Sequence, residues 1–551
     1  MIKKDNNISN KITLLLFSIF FFIGIFTYKD YGISIDEEFQ RRVGFYWLNY
    51  VLNFTPFDEL KDIASFKLQQ IKGLSLPTAK DNSWYGVIFD LPIAFLEVLF
   101  KIDDPKKYFH LRHLLNFGVF FVAVIYFYKI LLNRFLNSNI ALVGTLFFIL
   151  SPRIYASSFF NNKDLIFLSL LTIALYYCFI CLEKINFKNL LIFSFFAAVC
   201  TSSRVMGVFL PLFFIFFYIF SCLSKKKNIS DLPLIIFFFI SYYIFLTILW
   251  PALWSDPFGN LLQSFKFFFE LQGFSIKMLF NGKYIDTNFL PYSYIFTWIA
   301  ITTPILYIIL FIIGYIQIFK RFFLRFINIK ENSTYYDFWR SANEKKDLFV
   351  LFILTIIILY LITFDVILYT GWRQIYFLNI FIIYISTYAF YQIGIKIKSK
   401  KKMQIKYSVT MLFLIFVTYK MIIHHPYQNL YFNSLFNQAT HKKFEIDYWG
   451  LSGKKFLEDI LALEKNKNLI TIGVASFLPL ERSTNLLDKE DRERIEVVGQ
   501  EYQKAEYIYT NFISEVDKNA YDKYKIPSNF TKVDEFILGS ISVYEVYKKI
   551  N

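Results

Sequence analysis

The chain has 551 residues, 56% of them hydrophobic and only 19% charged, with 70 Phe and 39 Tyr. Soluble domains of this total length need polar surfaces that such a composition cannot supply. The net charge of +16 does not point to nucleic acid: its strongest clusters (Lys225–Lys226–Lys227, Lys320–Arg321 with Arg325, and the run 396–402) sit in short loops between apolar runs. That is the positive-inside pattern, and it accounts for most of the charge without a polyanion.

The apolar runs are about 18–22 residues long, enough to cross a hydrocarbon core of ~30 Å at 1.5 Å per residue. In chain order they predict about eleven spans: 11–28, 112–133, 139–157, 164–182, 188–204, 206–222, 232–250, 294–319, 348–366, 374–394 and 406–423. The first run follows Lys3 and Lys4 like a signal peptide, but no small-residue cleavage site follows it, so it is expected to be a retained helix. With Met1 inside, every basic cluster lands inside. The loops 29–111, 152–164 and 251–293 and everything after 423 then lie outside. The stretch 85–102 is apolar but contains Asp90, Pro92 and Glu97, which predicts an interfacial helix rather than a span.

After about residue 435 the charge rises. Short strand-like runs such as Leu469-Ile470-Thr471-Ile472 and Tyr507-Ile508-Tyr509 alternate with helical patterns such as 452–465. The expected fold is therefore an all-α polytopic membrane bundle over 1–434, with a small α/β domain over 435–551 on the outer face. Cys178, Cys181, Cys200 and Cys222 all fall in apolar runs. No disulfide is expected, and the C-x-x-C spacing lacks the second ligand pair of a metal site.

The polar residues that break the membrane pattern gather on one side. Arg112, Arg153, Lys163, Arg204 and Arg373 sit at outer helix ends or in short outer loops, where basic residues are disfavoured. His110, His113, His424, His425 and His441 fall there too, facing Asp36, Glu37, Glu38 and Asp164. The inner half of the helices shows few charges that would be buried. The plain alternative is that the outer charges pair with one another and fix helix packing. As a set, several arginines with carboxylates at one water–membrane boundary suit an anionic lipid headgroup, because guanidinium forks donate two parallel bonds to phosphate.

Asp36 and Glu37 follow closely on the first span. A carboxylate there could take the proton of an attacking hydroxyl or amine, ligate a divalent metal, or simply cap the helix that begins there. Asp164 likewise could cap the fourth span. Arg373 opens a span, where arginine has no capping role. Trp372 beside it fits an interfacial aromatic belt.

In this order the motifs resemble the GT-C superfamily of membrane glycosyltransferases, particularly the bacterial relatives of protein O-mannosyltransferases and of the lipid A aminoarabinose transferase. The resemblance is carried by Gly32-Ile33-Ser34-Ile35-Asp36-Glu37 after the first helix, Arg112-His113-Leu114-Leu115 at the second span, and Asn162-Lys163-Asp164 as a second acidic motif. Asn281-Gly282 with Leu290-Pro291-Tyr292-Ser293-Tyr294, Gly371-Trp372-Arg373-Gln374, and His425-Pro426-Tyr427-Gln428 with Tyr431-Phe432-Asn433 complete it, over about residues 10–450. Ser293 stands where relatives often carry an aromatic, and Glu38 makes the acidic run three long. The tail resembles no named domain.

The resemblance implies transfer of a sugar from a polyprenyl-phosphate donor to a glycan, lipid or protein acceptor. Asp36 would be the base, with Glu37 able to share or replace it, and Asp164 a second acid. Arg373, Arg204, Arg153 and Lys163 would hold the donor phosphate. His113, Arg112, His425 and Tyr427 would serve the acceptor or the structure. No cofactor is expected; a divalent metal is compatible with the acids but not required. A lipid-linked saccharide flippase without chemistry is the main rival, and a ligase using a diphosphate-linked donor is the closer one. Richness in Phe, Ile, Lys and Asn suggests an AT-rich bacterial genome, hence an inner membrane with a periplasmic active face.

Overall fold

All eleven apolar runs are helical, but only eight described helices are long and apolar enough to cross a membrane, or nine if one bent pair counts as a single span. The structure is a computed structural model, described over residues 2–71, 86–223, 229–270, 276–327, 338–435, 442–514 and 522–550. Lys225–Lys226–Lys227, Tyr85 and His441 lie outside the described residues. The eight are Pro105–Phe135, Asp164–Glu183, Val205–Leu223, Leu232–Leu249, Ile305–Ile327, Ala342–Thr363, Leu378–Lys396 and Lys400–Ile423.

The departures from eleven uniform spans have local causes. The run 139–157 is two helices, Ser138–Ile149 and Pro152–Phe160, bent by 64°. The run 294–319 is likewise two, Tyr294–Thr302 and Ile305–Ile327. Pro152 and Pro304 stand at the breaks, where a residue without an N–H cannot continue the ladder. At the second break the Asn433 amide donates to the carbonyls of Ala300 and Thr303, both at 2.6 Å, replacing bonds that the break removes. Lys11–Thr27 and Phe187–Thr201 are apolar helices of shorter length.

Asp164–Glu183 and Leu378–Lys396 are buried along most of their length and form the centre of the bundle. Ile305–Ile327 and Lys400–Ile423 turn rows such as Ile309, Ile312 and Ile316, or Leu412, Ile415 and Tyr419, outward. That is how a helix facing hydrocarbon reads.

The expectation of few buried charges at the end of the bundle away from Asp36 is overturned. Asp347, fully buried, accepts from Arg134 Nε at 2.6 Å and Nη2 at 2.7 Å, from Arg321 Nη2 at 3.1 Å and from the Tyr384 hydroxyl at 3.0 Å. Lys346, also buried, pairs with Glu183, and Arg325 meets Glu344 at 2.5 Å. The partners of each pair lie on different helices, so only the packed bundle shows that they meet.

The stretch 85–102 contains the helix Asp90–Leu99, whose ten residues reach about 15 Å, too short to cross. It packs on the helix Glu37–Leu52, where Gly44 faces the Asp90 backbone with no room for a side chain. In the 251–293 loop, Lys277–Phe280 and Lys283–Asp286 pair as an antiparallel hairpin. Its turn is Asn281-Gly282, both at positive φ (52° and 80°), the arrangement that matches the strands' twist.

The C-terminal part is a five-stranded sheet in the order Ile495–Gly499, Ile470–Val474, Tyr507–Thr510, Ile541–Lys549, Phe530–Leu538. The first three strands are parallel and the last two antiparallel. The helix Gly453–Leu463 covers one face, burying Phe456, Leu457 and Ile460 against Ile470, Ile472 and Tyr509.

Candidate active site

The first helix ends at Thr27, and the chain then runs buried through 31–34 to Asp36 and Glu38, which are partly exposed. Tyr31 stacks on Phe159 at 4.3 Å, and Gly32 lies so close to the Leu451 carbonyl that a side chain would collide with it. Asp36 occupies the N-cap position of the helix Glu37–Leu52 but makes no capping bond. Its Oδ2 instead accepts from Arg373 Nη1 at 2.8 Å. The capping alternative is thus not what the carboxylate does.

Burial pushes the Asp36 carboxyl up, but Arg373, with Lys163 and Arg204 behind it, outweighs burial and holds the group below the usual carboxylate range. For Arg373, burial pulls down while Asp36 and Asp164 raise, and the carboxylates win. Asp164 pairs with Arg204 and also accepts from the Asn161 amide at 3.0 Å. It does not cap its own helix; Asn161 Oδ1 accepts the Asp164 N–H at 2.8 Å and does so. Two carboxylates and three cations from four chain segments (Asp36; Lys163 and Asp164; Arg204; Arg373) therefore meet with cationic excess.

Arg373 Nε and Arg204 Nε are buried without a hydrogen-bond partner, as is Nη1 of Arg153. Arg153 donates from Nε to the Tyr431 carbonyl at 3.1 Å, and its guanidinium lies over Phe432 at 4.5 Å and Trp298 at 5.4 Å. Tyr376 lies within charge range of both Arg153 and Asp164. Lys163 lines a small polar cleft with Gln40, Asp90, Asn162 and Ser203.

The remaining sequence candidates lie in supporting networks. Glu37 is fully buried; one oxygen accepts the Ser34 N–H at 2.7 Å and the other meets His113 Nε2 at 2.9 Å. Arg112 spans Asp90 and Glu97, each at 3.0 Å, and Arg41 joins Glu97 at 2.8 Å. His425 meets Asp30 at 2.7 Å, and Gln428 accepts from the Tyr31 hydroxyl at 3.1 Å. Tyr427 is buried against Phe536 of the sheet domain, with ring centroids 5.4 Å apart.

The segment 442–452, read from sequence as the start of the tail, supplies residues that the sequence reading missed. Trp449 lies under the Arg373 guanidinium at 4.6 Å. The Tyr448 hydroxyl lies 3.4 Å from that of Tyr376. Glu445 accepts from the Thr370 hydroxyl, three residues before Arg373, and burial pushes its carboxyl up to about 7. The signal was the dense run Glu445-Ile446-Asp447-Tyr448-Trp449-Gly450, acids and aromatics together just beyond the last span. Among the described residues, no three His, Cys, Asp or Glu side chains are placed to hold a metal ion.

Residues 114–250 match the model of the family described as dolichyl-phosphate-mannose-protein mannosyltransferase. No curated protein matches the chain. Among solved structures, it is similar to crystal structures of ArnT from Cupriavidus metallidurans. The one bound to undecaprenyl phosphate gives TM-score 0.44 and 11% identity over 97% of each chain. The apo one gives 0.45 and 10% over 98% of each. The family match over residues 114–250 bears out the resemblance drawn from the motifs, to the GT-C membrane glycosyltransferases.

Proposed function

We propose that the protein transfers a sugar from a polyprenyl-phosphate donor to a hydroxyl or amine acceptor, at the end of the bundle that carries Asp36. The observation that carries this reading is the junction of the Asp36–Arg373 and Asp164–Arg204 pairs, with Lys163 adding a further positive charge. A cluster of carboxylates alone would suit a metal or a base, and arginines alone a phosphate. Together they suit a displacement in which a base and a phosphate leaving group act a few ångströms apart.

In that displacement the acceptor's lone pair attacks the anomeric carbon, and the bond from that carbon to the phosphate oxygen breaks with its electrons going to phosphate. The acceptor's proton passes to Asp36. Arg373 and Arg204, already oriented by their carboxylates and each with a buried N–H unused, stabilise the charge gathering on the phosphate. The same partners tune the base. While Arg373 holds Asp36, the carboxylate is a weak proton acceptor; a phosphate that draws Arg373 away makes it a stronger one. Asp164 serves as the second acid beside Arg204, and Arg153 extends the cationic surface.

The positive-inside distribution of the loops supports an outward-facing site, periplasmic in a bacterial inner membrane. The test is transfer of label from a radiolabelled polyprenyl-phosphate sugar by purified protein in lipid, wild type against Asp36→Asn. Transfer by wild type and its loss in a folded mutant is the expected result. No transfer from any of several donors, with lipid-linked sugar still moving across vesicles in both proteins, would replace the reading with a flippase.

A further inference from the structure

The chain beyond the last span grips the loop that carries Asp36 at several points. Arg482 lies in the 3₁₀ segment Leu480–Leu486, between two parallel strands of the sheet. Its Nη1 donates to the Ile35 carbonyl at 2.6 Å, and its Nε faces Glu38 Oε2 at 3.0 Å. The guanidinium thus straddles Asp36, binding the residue before it and the second residue after it. From the other side, the Trp449 carbonyl accepts the Ile35 N–H at 3.1 Å, while the Trp449 ring carries Arg373. Leu486 packs with Ile33 and Phe109, and Lys454 donates to the carbonyls of Lys29 at 2.7 Å and Asp30 at 3.1 Å.

An ion pair as open to solvent as Arg482–Glu38 adds little to stability. Its worth lies in direction: a planar fork fixed at two points sets the path of the backbone between them. The membrane domain fixes the neighbours of Asp36 through Ser34, whose hydroxyl donates to the Phe160 carbonyl at 3.0 Å, and through Glu37 and His113. The tail bonds Ile35 and Glu38, the residues between and beyond these points.

We propose that the C-terminal domain is part of the frame of the active site, and that Arg482 is a positioning residue that sets the Asp36 carboxylate against Arg373 and the reacting atoms. The proposal rests on Asp36 acting as the base. Misplacing a reacting group by about 1 Å can cost on the order of a hundredfold in rate, so a short backbone shift here is enough to matter.

The experiment uses the full chain in lipid, with Arg482→Ala, Arg482→Lys and Glu38→Gln. In Arg482→Ala, kcat falls about tenfold or more while the KM for the donor stays near wild type, since Arg373 and Arg204 are untouched. Arg482→Lys and Glu38→Gln, which each leave part of the grip, fall between. The acid limb of the rate profile moves up in pH, because Asp36 sits less squarely on Arg373. Hydrogen exchange rises in 31–38 and not in the strands at 470–474 and 507–510. Unchanged exchange in 31–38, or a fall in kcat with the acid limb at its wild-type place, would overturn the proposal. If wild type transfers nothing, the transferase reading falls on its own, and the exchange measurement still decides whether Arg482 anchors the loop.

Discussion

Asp36 and Arg373 lie 337 residues apart in the chain and 2.8 Å apart in space, and that bond joins the loop after the first helix to the turn before a late span. It holds the carboxylate deprotonated and the guanidinium in a fixed plane.

Arg373 therefore controls both the phosphate and the base. Arg373→Lys keeps the charge but loses the planar fork, and is expected to lower kcat/KM on the order of tenfold; Arg373→Gln lowers it ~100-fold. A base works deprotonated, so activity rises with pH through its pKa. In wild type that limb lies below the ordinary carboxylate range, and in Arg373→Gln it moves upward. A pH profile of kcat/KM for both proteins checks the shift, and coincident limbs would show that Asp36 is not the titrating group.

Glu37 separates the two adjacent acids. Glu37→Gln keeps an acceptor for the Ser34 N–H and a partner for His113, so it is expected to fold and to transfer sugar at close to the wild-type rate. Glu37→Ala strands both partners in the interior and costs about 1–3 kcal/mol of stability. Comparing initial rates with Asp36→Asn decides the assignment; loss in Glu37→Gln with activity kept in Asp36→Asn would move the base by one residue.

The Asp347 network predicts a stability effect far from the chemistry. Asp347→Leu leaves Arg134 and Arg321 without their shared carboxylate and is expected to cost about 3–5 kcal/mol. Adding Arg134→Met to it removes one stranded charge and recovers part of the loss. Thermal unfolding followed by monodisperse size-exclusion recovery in detergent reads both. A variant as stable as wild type would mean that water reaches this end of the bundle freely.

The sequence by itself determined the helical bundle, because a span must be apolar over its whole length and that signal is continuous along the chain. It also put Asp36, Asp164, Arg204 and Arg373 on one side, since the side follows from counting crossings. It separated a tail of mixed strands and helices for the same kind of reason: alternation is a local pattern. What it left open was partnership. Asp36 and Glu37 are adjacent acids of equal standing in the sequence, and one turn of chain sends the first to Arg373 and the second to His113.

Arg112 and Arg204 likewise look alike at helix ends, yet Arg112 meets the buried Asp90 and Glu97 while Arg204 meets Asp164 beside Arg373. The segment 442–452 lies in sequence with the tail and in space with the membrane core, where Phe444, Tyr448 and Trp449 are buried. Arg482, beside Glu481 in a short stretch of mixed polarity, acquires its place only when the sheet domain folds back on the first loop. Side-chain pairing depends on distance through space, and in a bundle whose neighbours come from opposite ends of the chain, only the packed tertiary structure sets that distance.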